Sequence, residues 1–236
     1  MFRQAGSVFS FLTIIPAGSS DLQTIAKHMY LFPLIGIAIG LLLGAAGWGL
    51  SLFLEPLVVG LLVAAGLVLI TGIHHTDGLS DFADGLMVKG SREKKLEVMR
   101  DPKVGSAGIV AVIFYVAAAI ISLSLMKGFE LFYAILIAEV CAKFCMVLSA
   151  SIGPSAWQGS NSSFIESMKD KKKLAIAAAI MICTIAPFQN IVGFEAMAAS
   201  IVVTLIIVGI SRRSFGGISG DIMGAVNELE IGRAHV

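Results

Sequence analysis

Six runs of almost uninterrupted apolar residues constrain what this chain can become: 31–53, 57–73, 107–126, 129–150, 174–192 and 194–210. Most are close to the ~20 residues that a helix needs to cross a hydrocarbon core. A backbone in lipid must satisfy its own hydrogen bonds, so each run is predicted to be helical. A β-barrel is excluded, because nothing alternates over ~10-residue strands. The polar remainder is too small to cover a water-soluble globule, with 57% of the 236 residues hydrophobic and 14% charged. The expected fold is all-α, a polytopic helical membrane protein with about six spanning helices. It is read as one integral domain over 1–236, since no Pro- or Ser-rich linker divides it.

The basic residues orient the spans. Fifteen of the 17 Lys and Arg lie before the first run, in the loops 74–106 and 151–173, or after the sixth. Lys127 alone falls on the other side, and Lys143 sits inside the fourth run. The positive-inside rule therefore predicts a multi-pass cell-membrane protein with both termini and both long loops in the cytoplasm. The net charge of +1 says nothing more about partners; no nucleic-acid partner is expected, and a homo-oligomer is left open. The short apolar stretch 8–15 is predicted to be an interfacial or re-entrant helix ended by Pro16 rather than a cleavable signal. Cys141, Cys145 and Cys183 lack metal-type spacing and are read as small core residues. Gly36, Gly40 and Gly44 recur every four residues, which suits close helix packing.

Against this background the run His75-Thr-Asp77-Gly78-Leu-Ser-Asp81-Phe-Ala-Asp84-Gly85 stands out. On a helix the three aspartates occupy i, i+4 and i+7, within an arc of about 60°. They could be a solvated cap in which Asp77 merely starts a helix. The reading favoured here is a Mg²⁺ or Mn²⁺ site, because like charges on one face call for a cation, and hard divalent ions take carboxylate oxygens together with substrate phosphates. That chemistry suits a nucleoside diphosphate substrate at the membrane surface. Asp101 is expected to return beside the trio as a fourth acid, and His75 to contact a phosphate or orient a metal ligand. Between them, 91–100 reads as a surface helix capped by Ser91, with solvated ion pairs outside and Leu96 and Met99 inward.

Elsewhere the polar signals are weaker. Trp157 suits an interface anchor, and Lys169 and Lys171 to Lys173 are explained by orientation and anionic lipid. The segment 211–229 carries Arg212, Arg213, a glycine-rich turn and Asp221, and is read as a cytoplasmic loop that admits phosphate and opens a new helix. Glu139 and Lys143, one turn apart inside the fourth run, balance between a self-neutralising pair and a functional one.

The patterns His75-x-Asp77-Gly-Leu-x-Asp81-x-x-Asp84-Gly, Met99-Arg-Asp101-x-x-x-Gly105-x-x-Gly108 and Gly220-Asp-x-x-Gly-Ala225 resemble, in order and spacing, the cobalamin synthase family (adenosylcobinamide-GDP ribazoletransferase). Phe11-Leu-Thr13 with Pro16, and Phe32-Pro-Leu-x-Gly36, are similar to that family's start. The resemblance implies a multi-pass enzyme that joins adenosylcobinamide-GDP to α-ribazole or its 5′-phosphate with Mg²⁺, releasing GMP. Carried onto this chain, it implies His75, Asp77, Asp81 and Asp84 as catalytic residues, with Asp77, Asp81, Asp84 and Asp101 as metal ligands. Arg100, Asp101, Lys103, Gly105, Arg212, Gly220 and Asp221 become the substrate contacts. Similar enzymes continue into a last hydrophobic helix, so a seventh span is expected to be missing. The tail 230–236 is expected to be non-native, since GAG ATC GGA AGA GCA CAC GTC encodes it and resembles a sequencing adapter.

Two alternatives compete. A CDP-alcohol phosphotransferase also expels a nucleoside monophosphate at surface aspartates, but its motif carries Ala-Arg after the second aspartate and a later pair four apart, neither of which matches here. A secondary transporter ought to place its acids at the bilayer midplane between related halves, where only Glu139 is found and no repeat is evident.

Overall fold

The computed structural model describes residues 2–157, 160–188 and 191–231. Twelve α-helices account for most of them, and the only β-type pairing among the described residues is a bridge between Ser155 and Ile218. In chain order they are α1 (Phe2–Leu12), α2 (Leu22–Lys27), α3 (Phe32–Leu50), α4 (Pro56–Ile70), α5 (His74–Met87) and α6 (Arg92–Val98). These are followed by α7 (Ser106–Ser124), α8 (Gly128–Ile152), α9 (Ser160–Ser167), α10 (Lys171–Ile185), α11 (Ile191–Ser214) and α12 (Gly220–Ile231). The all-α polytopic fold expected from the apolar runs is therefore present.

The runs and the helices do not coincide everywhere. Among the described residues α3, α7, α8 and α11 are long and apolar enough to cross a membrane. The run 57–73 breaks: α4 ends at Ile70, and α5 leaves at 89° to it. Gly72 and Ile73 both adopt φ of 67°, so the turn puts a β-branched residue in the left-handed region. That conformation costs about 1–2 kcal/mol and persists only where surrounding structure holds it. Counting the bent pair as one span gives five. The run 174–192 is also shortened, since α10 stops at Ile185 after 15 residues and gives way to a tight turn, Ala186–Phe188. The six expected spans are thus six helical segments, of which four are straight and full length.

Helix α8 is the axis of the bundle. From Ile135 to Val147 its residues are buried on every side, and α3, α10, α11 and α12 pack around it. The glycine spacing of α3 has its expected use, for a Cβ on Gly36 would lie 2.6 Å from the Glu139 carbonyl and one on Gly40 2.8 Å from the Leu136 Cα. The outer face of α7 (Ile109, Ile113, Phe114) and that of α11 (Val202, Leu205, Ile206) are left exposed, as lipid-facing surfaces are. Cys141 and Cys145 are buried as expected, whereas Cys183 is exposed on α10 and is no core residue. The N-terminal helix starts before residue 8 and ends at Leu12. Val8 and Leu12 are buried, and the Ile14 amide donates to the Ile70 carbonyl, which pins this segment over the end of α4. Glu230 and Ile231 are the last residues of α12, both buried; Arg233 and His235 fall outside the described residues.

Candidate active site

Helix α5 carries the aspartate motif, running from the end of α4 toward the start of α7 and lying against α12. Its aspartates do share a face. What brings a fourth acid to them is a backbone crossing: a Cβ on Gly78 would lie 2.7 Å from the Asp221 carbonyl, and one on Gly224 3.2 Å from the His75 Cα. These contacts leave no room for side chains, so α12 settles onto α5 and delivers Asp221 beside Asp77 and Asp81. Ser219 starts α12 by accepting from the Ile222 amide at 3.2 Å, and its hydroxyl donates to the Asp221 carboxylate, also at 3.2 Å.

The electrostatics follow from that crowding. Asp77 is exposed and Asp81, Asp84 and Asp221 are partly buried. Burial, then the charges of Asp77, Asp221 and Asp84, push the Asp81 carboxyl up to about 7. Burial also raises Asp221, against the pull of the Ser219 hydroxyl and the Arg100 guanidinium. Asp84 has a different occupation. Its two oxygens accept the Gly105 amide at 2.7 Å and the Gly108 amide at 2.8 Å, so it caps the first turn of α7. A side chain on either glycine would run into that carboxylate. At the other end of the motif Lys95 donates to the carbonyls of Leu86 (2.7 Å) and Val88 (2.8 Å), closing α5 and fastening α6 to it.

A cavity of about 530 Å³ opens beside the cluster. Asp77, Asp221, His74 and His75 form its polar wall, and Phe11, Phe32 and Phe164 its aromatic one. The Phe11 and Phe164 rings stack with centroids 5.6 Å apart. His75 is buried with no partner for Nδ1, and burial first, then the charge of Lys143, keeps its ring neutral by holding its pKa well below the ordinary value.

Beneath the cluster lies a second polar group. Lys143 is fully buried and donates to Glu139 at 3.2 Å and to Asn227 at 2.7 Å. Glu228, 2% exposed, joins it from α12 and faces Tyr115 of α7. The pair read in the fourth run is thus one part of a network across three helices.

The family model for cobalamin-5-phosphate synthase (CobS) matches residues 4–231. The chain belongs to that family. An adenosylcobinamide-GDP ribazoletransferase of Methanocella arvoryzae is 36% identical, the match covering 94% of this chain and 90% of that one. Proteins of the same name from Pyrococcus abyssi and Geotalea daltonii are 33% and 31% identical, covering 94% and 97% of this chain and 92% and 94% of theirs. No solved structure matches the chain.

For this cobalamin-5-phosphate synthase family member the structure sorts the sequence-read site residues. Asp77, Asp81, Asp84 and Asp221 come together, with Gly220 and Gly105 at the helix starts and His75 next to them. Arg100 lies near enough for its charge to act on Asp221. Asp101 is placed elsewhere: it is exposed, accepts the Lys103 amide at 3.0 Å, and lines a separate groove together with Arg100. Lys103 and Arg212 are both exposed. Sequence reading passed over His74, the aromatic wall and Asn227. The polar pair Asn227-Glu228, seven and eight residues after Gly220, is the signal that could have added α12 to the Glu139–Lys143 pair.

Proposed function

We propose that this chain is a membrane-bound adenosylcobinamide-GDP ribazoletransferase. It joins adenosylcobinamide-GDP to α-ribazole or α-ribazole 5′-phosphate and releases GMP, in the last steps of cobalamin biosynthesis. The observation that carries the reading is the meeting of Asp77, Asp81 and Asp221 at the rim of an aromatic-walled cavity, in a chain of this family.

The donor set suits magnesium. It is made of carboxylate oxygens, with Arg100 as the cation whose charge reaches Asp221. Among the described residues no three His, Cys, Asp or Glu side chains converge into a preformed cage. Magnesium is commonly held by one or two carboxylates plus substrate phosphates, so Asp77, Asp81 and Asp221 would hold it together with the diphosphate. When bound, it neutralises the diphosphate and the oxygen on which GMP departs.

The residues of the chain do the rest. The aromatic wall of the cavity takes the flat base of α-ribazole and leaves a ribose hydroxyl, one that is free in both α-ribazole and its 5′-phosphate, toward His75 and Asp77. That oxygen attacks the phosphorus attached to the corrinoid, the bond from this phosphorus to the bridging oxygen breaks, and GMP leaves with that oxygen. Neutral His75, which lines the cavity, accepts the hydroxyl proton. Asp84 holds the start of α7 in place, and Arg100 neutralises phosphate charge. The charged ends of the helices face the cytoplasm, where the nucleotide substrate is found.

Membranes carrying the chain, given adenosylcobinamide-GDP, α-ribazole and Mg²⁺, are expected to release GMP. Release of CMP from a CDP-alcohol, with no GMP from this pair, overturns the reading.

A further inference from the structure

A groove of about 580 Å³ runs along α6, lined by Glu93, Leu96, Glu97, Arg100, Asp101 and Trp157. The Arg100 guanidinium lies 4.1 Å from the centre of the Trp157 ring, so the groove has a flat, cationic stacked wall. That wall is fixed to the cluster from both sides. The Ala156 amide donates to the Ile218 carbonyl at 3.0 Å and the Ile218 amide to the Pro154 carbonyl at 2.7 Å, which sets Trp157 beside the start of α12. Lys95 fastens α6 to the end of α5. Facing the stack are acids: Glu97 pairs with Lys94 at 3.0 Å, while Asp101 is met by the Lys103 backbone amide.

A flat wall beside a carboxylate, with Arg100 near enough for its charge to act on Asp221, is selective in a definite way. A carboxylate accepts two parallel N–H groups at once. Guanine offers such a pair in its N1–H and exocyclic amine, adenine and the pyrimidines do not, and any base offers a face for stacking.

We propose that this groove is the subsite for the guanine base, with Arg100 and Trp157 stacking on it and Asp101 accepting from N1–H and the amine. The proposal rests on the reaction proposed above and adds the element that selects the nucleotide. It separates this subsite from the aromatic cavity, which is left to the acceptor.

Trp157 is one of only two tryptophans and serves as the probe. The other, Trp48, stacks on Phe129 in a different part of the bundle. Purified protein in detergent, titrated with GMP without corrinoid or Mg²⁺, is expected to show saturable quenching that Trp157→Phe abolishes and Trp48→Phe retains. IMP, lacking the amine, should need several-fold higher concentration, and AMP more than tenfold. Asp101→Asn should weaken GMP about tenfold and narrow its lead over AMP. Equal response to GMP and AMP, or a response that survives Trp157→Phe, overturns the guanine subsite. If turnover releases GMP while Trp157 is blind to it, only the subsite fails. If GMP quenches selectively but no transfer occurs, the reaction fails and the subsite stands.

Discussion

Helix α12 meets acids at both ends, and the two groups are treated in opposite ways. At its first turn Asp221 joins Asp77, Asp81 and Asp84, all of one sign, partly open to the surface, with Arg100 off to one side. Toward its last turns Asn227 and Glu228 join Glu139 around Lys143, an ammonium with no exposure at all. Where the cation belongs to the chain, the acids are buried and tie α8 to α12. Where it does not, they stay near the surface, because burying several unpaired carboxylates would cost far more than folding can supply. The first group is shaped to receive charge and the second to hold its own.

The largest expected effect tests the second group. Lys143→Met leaves two buried glutamates without their lysine and should cost about 3–5 kcal/mol, read as lost yield and a lowered melting temperature in detergent. A variant as stable as the parent would mean the network is neutral. Asp81→Asn probes the first group. It should lower turnover by about 10²–10³-fold while leaving the melting temperature unchanged or raised, since a repelling charge is removed. Full activity in that variant would end the metal reading.

Asp84 sits between the two behaviours and sharpens the comparison. Asp84→Ala should cost about 1–2 kcal/mol of stability through the Gly105 and Gly108 amides, whereas Asp84→Asn keeps an acceptor and most of the activity. Loss of activity in Asp84→Asn equal to that in Asp81→Asn would make Asp84 a ligand as well as an anchor. The smallest effect is in pH. The folded pKa of Asp81 is raised to about 7 from 3.8, so its contribution to stability is fully present below 3.8 and is lost as pH rises through about 7. In chelator the melting temperature should fall over that window. Added Mg²⁺ should restore it, with little gain near pH 5 and most near pH 8. A gain independent of pH would separate magnesium from this carboxylate.

Much of this was legible in the chain itself. The trio at i, i+4 and i+7 shares a face because helix period is local, and Ser91 caps α6 with Met99 buried behind it for the same reason. Gly36, Gly40 and Gly44 announced a close helix contact but not its partner, which is Glu139 to Phe132 of α8. Asp101 is near the trio in sequence, but it lines the Arg100 groove and is not among the charges that act on Asp81, a placement that sequence spacing could not give. The bend after Ile70 was hidden, since Gly72 and Ile73 continue an apolar run whose hydropathy carries no sign of the backbone turn.

The sequence alone determined the all-α membrane class, the polar helix and the one-sided aspartates, because hydropathy and helical period are properties of neighbouring residues. Only the tertiary structure decided that Asp221 is the fourth acid, that Asp84 spends its oxygens on two amides, and that Lys143 answers to Asn227. Those pairings join residues up to 144 positions apart, from Asp77 to Asp221, and they depend on how glycine-lined helices come to rest against one another.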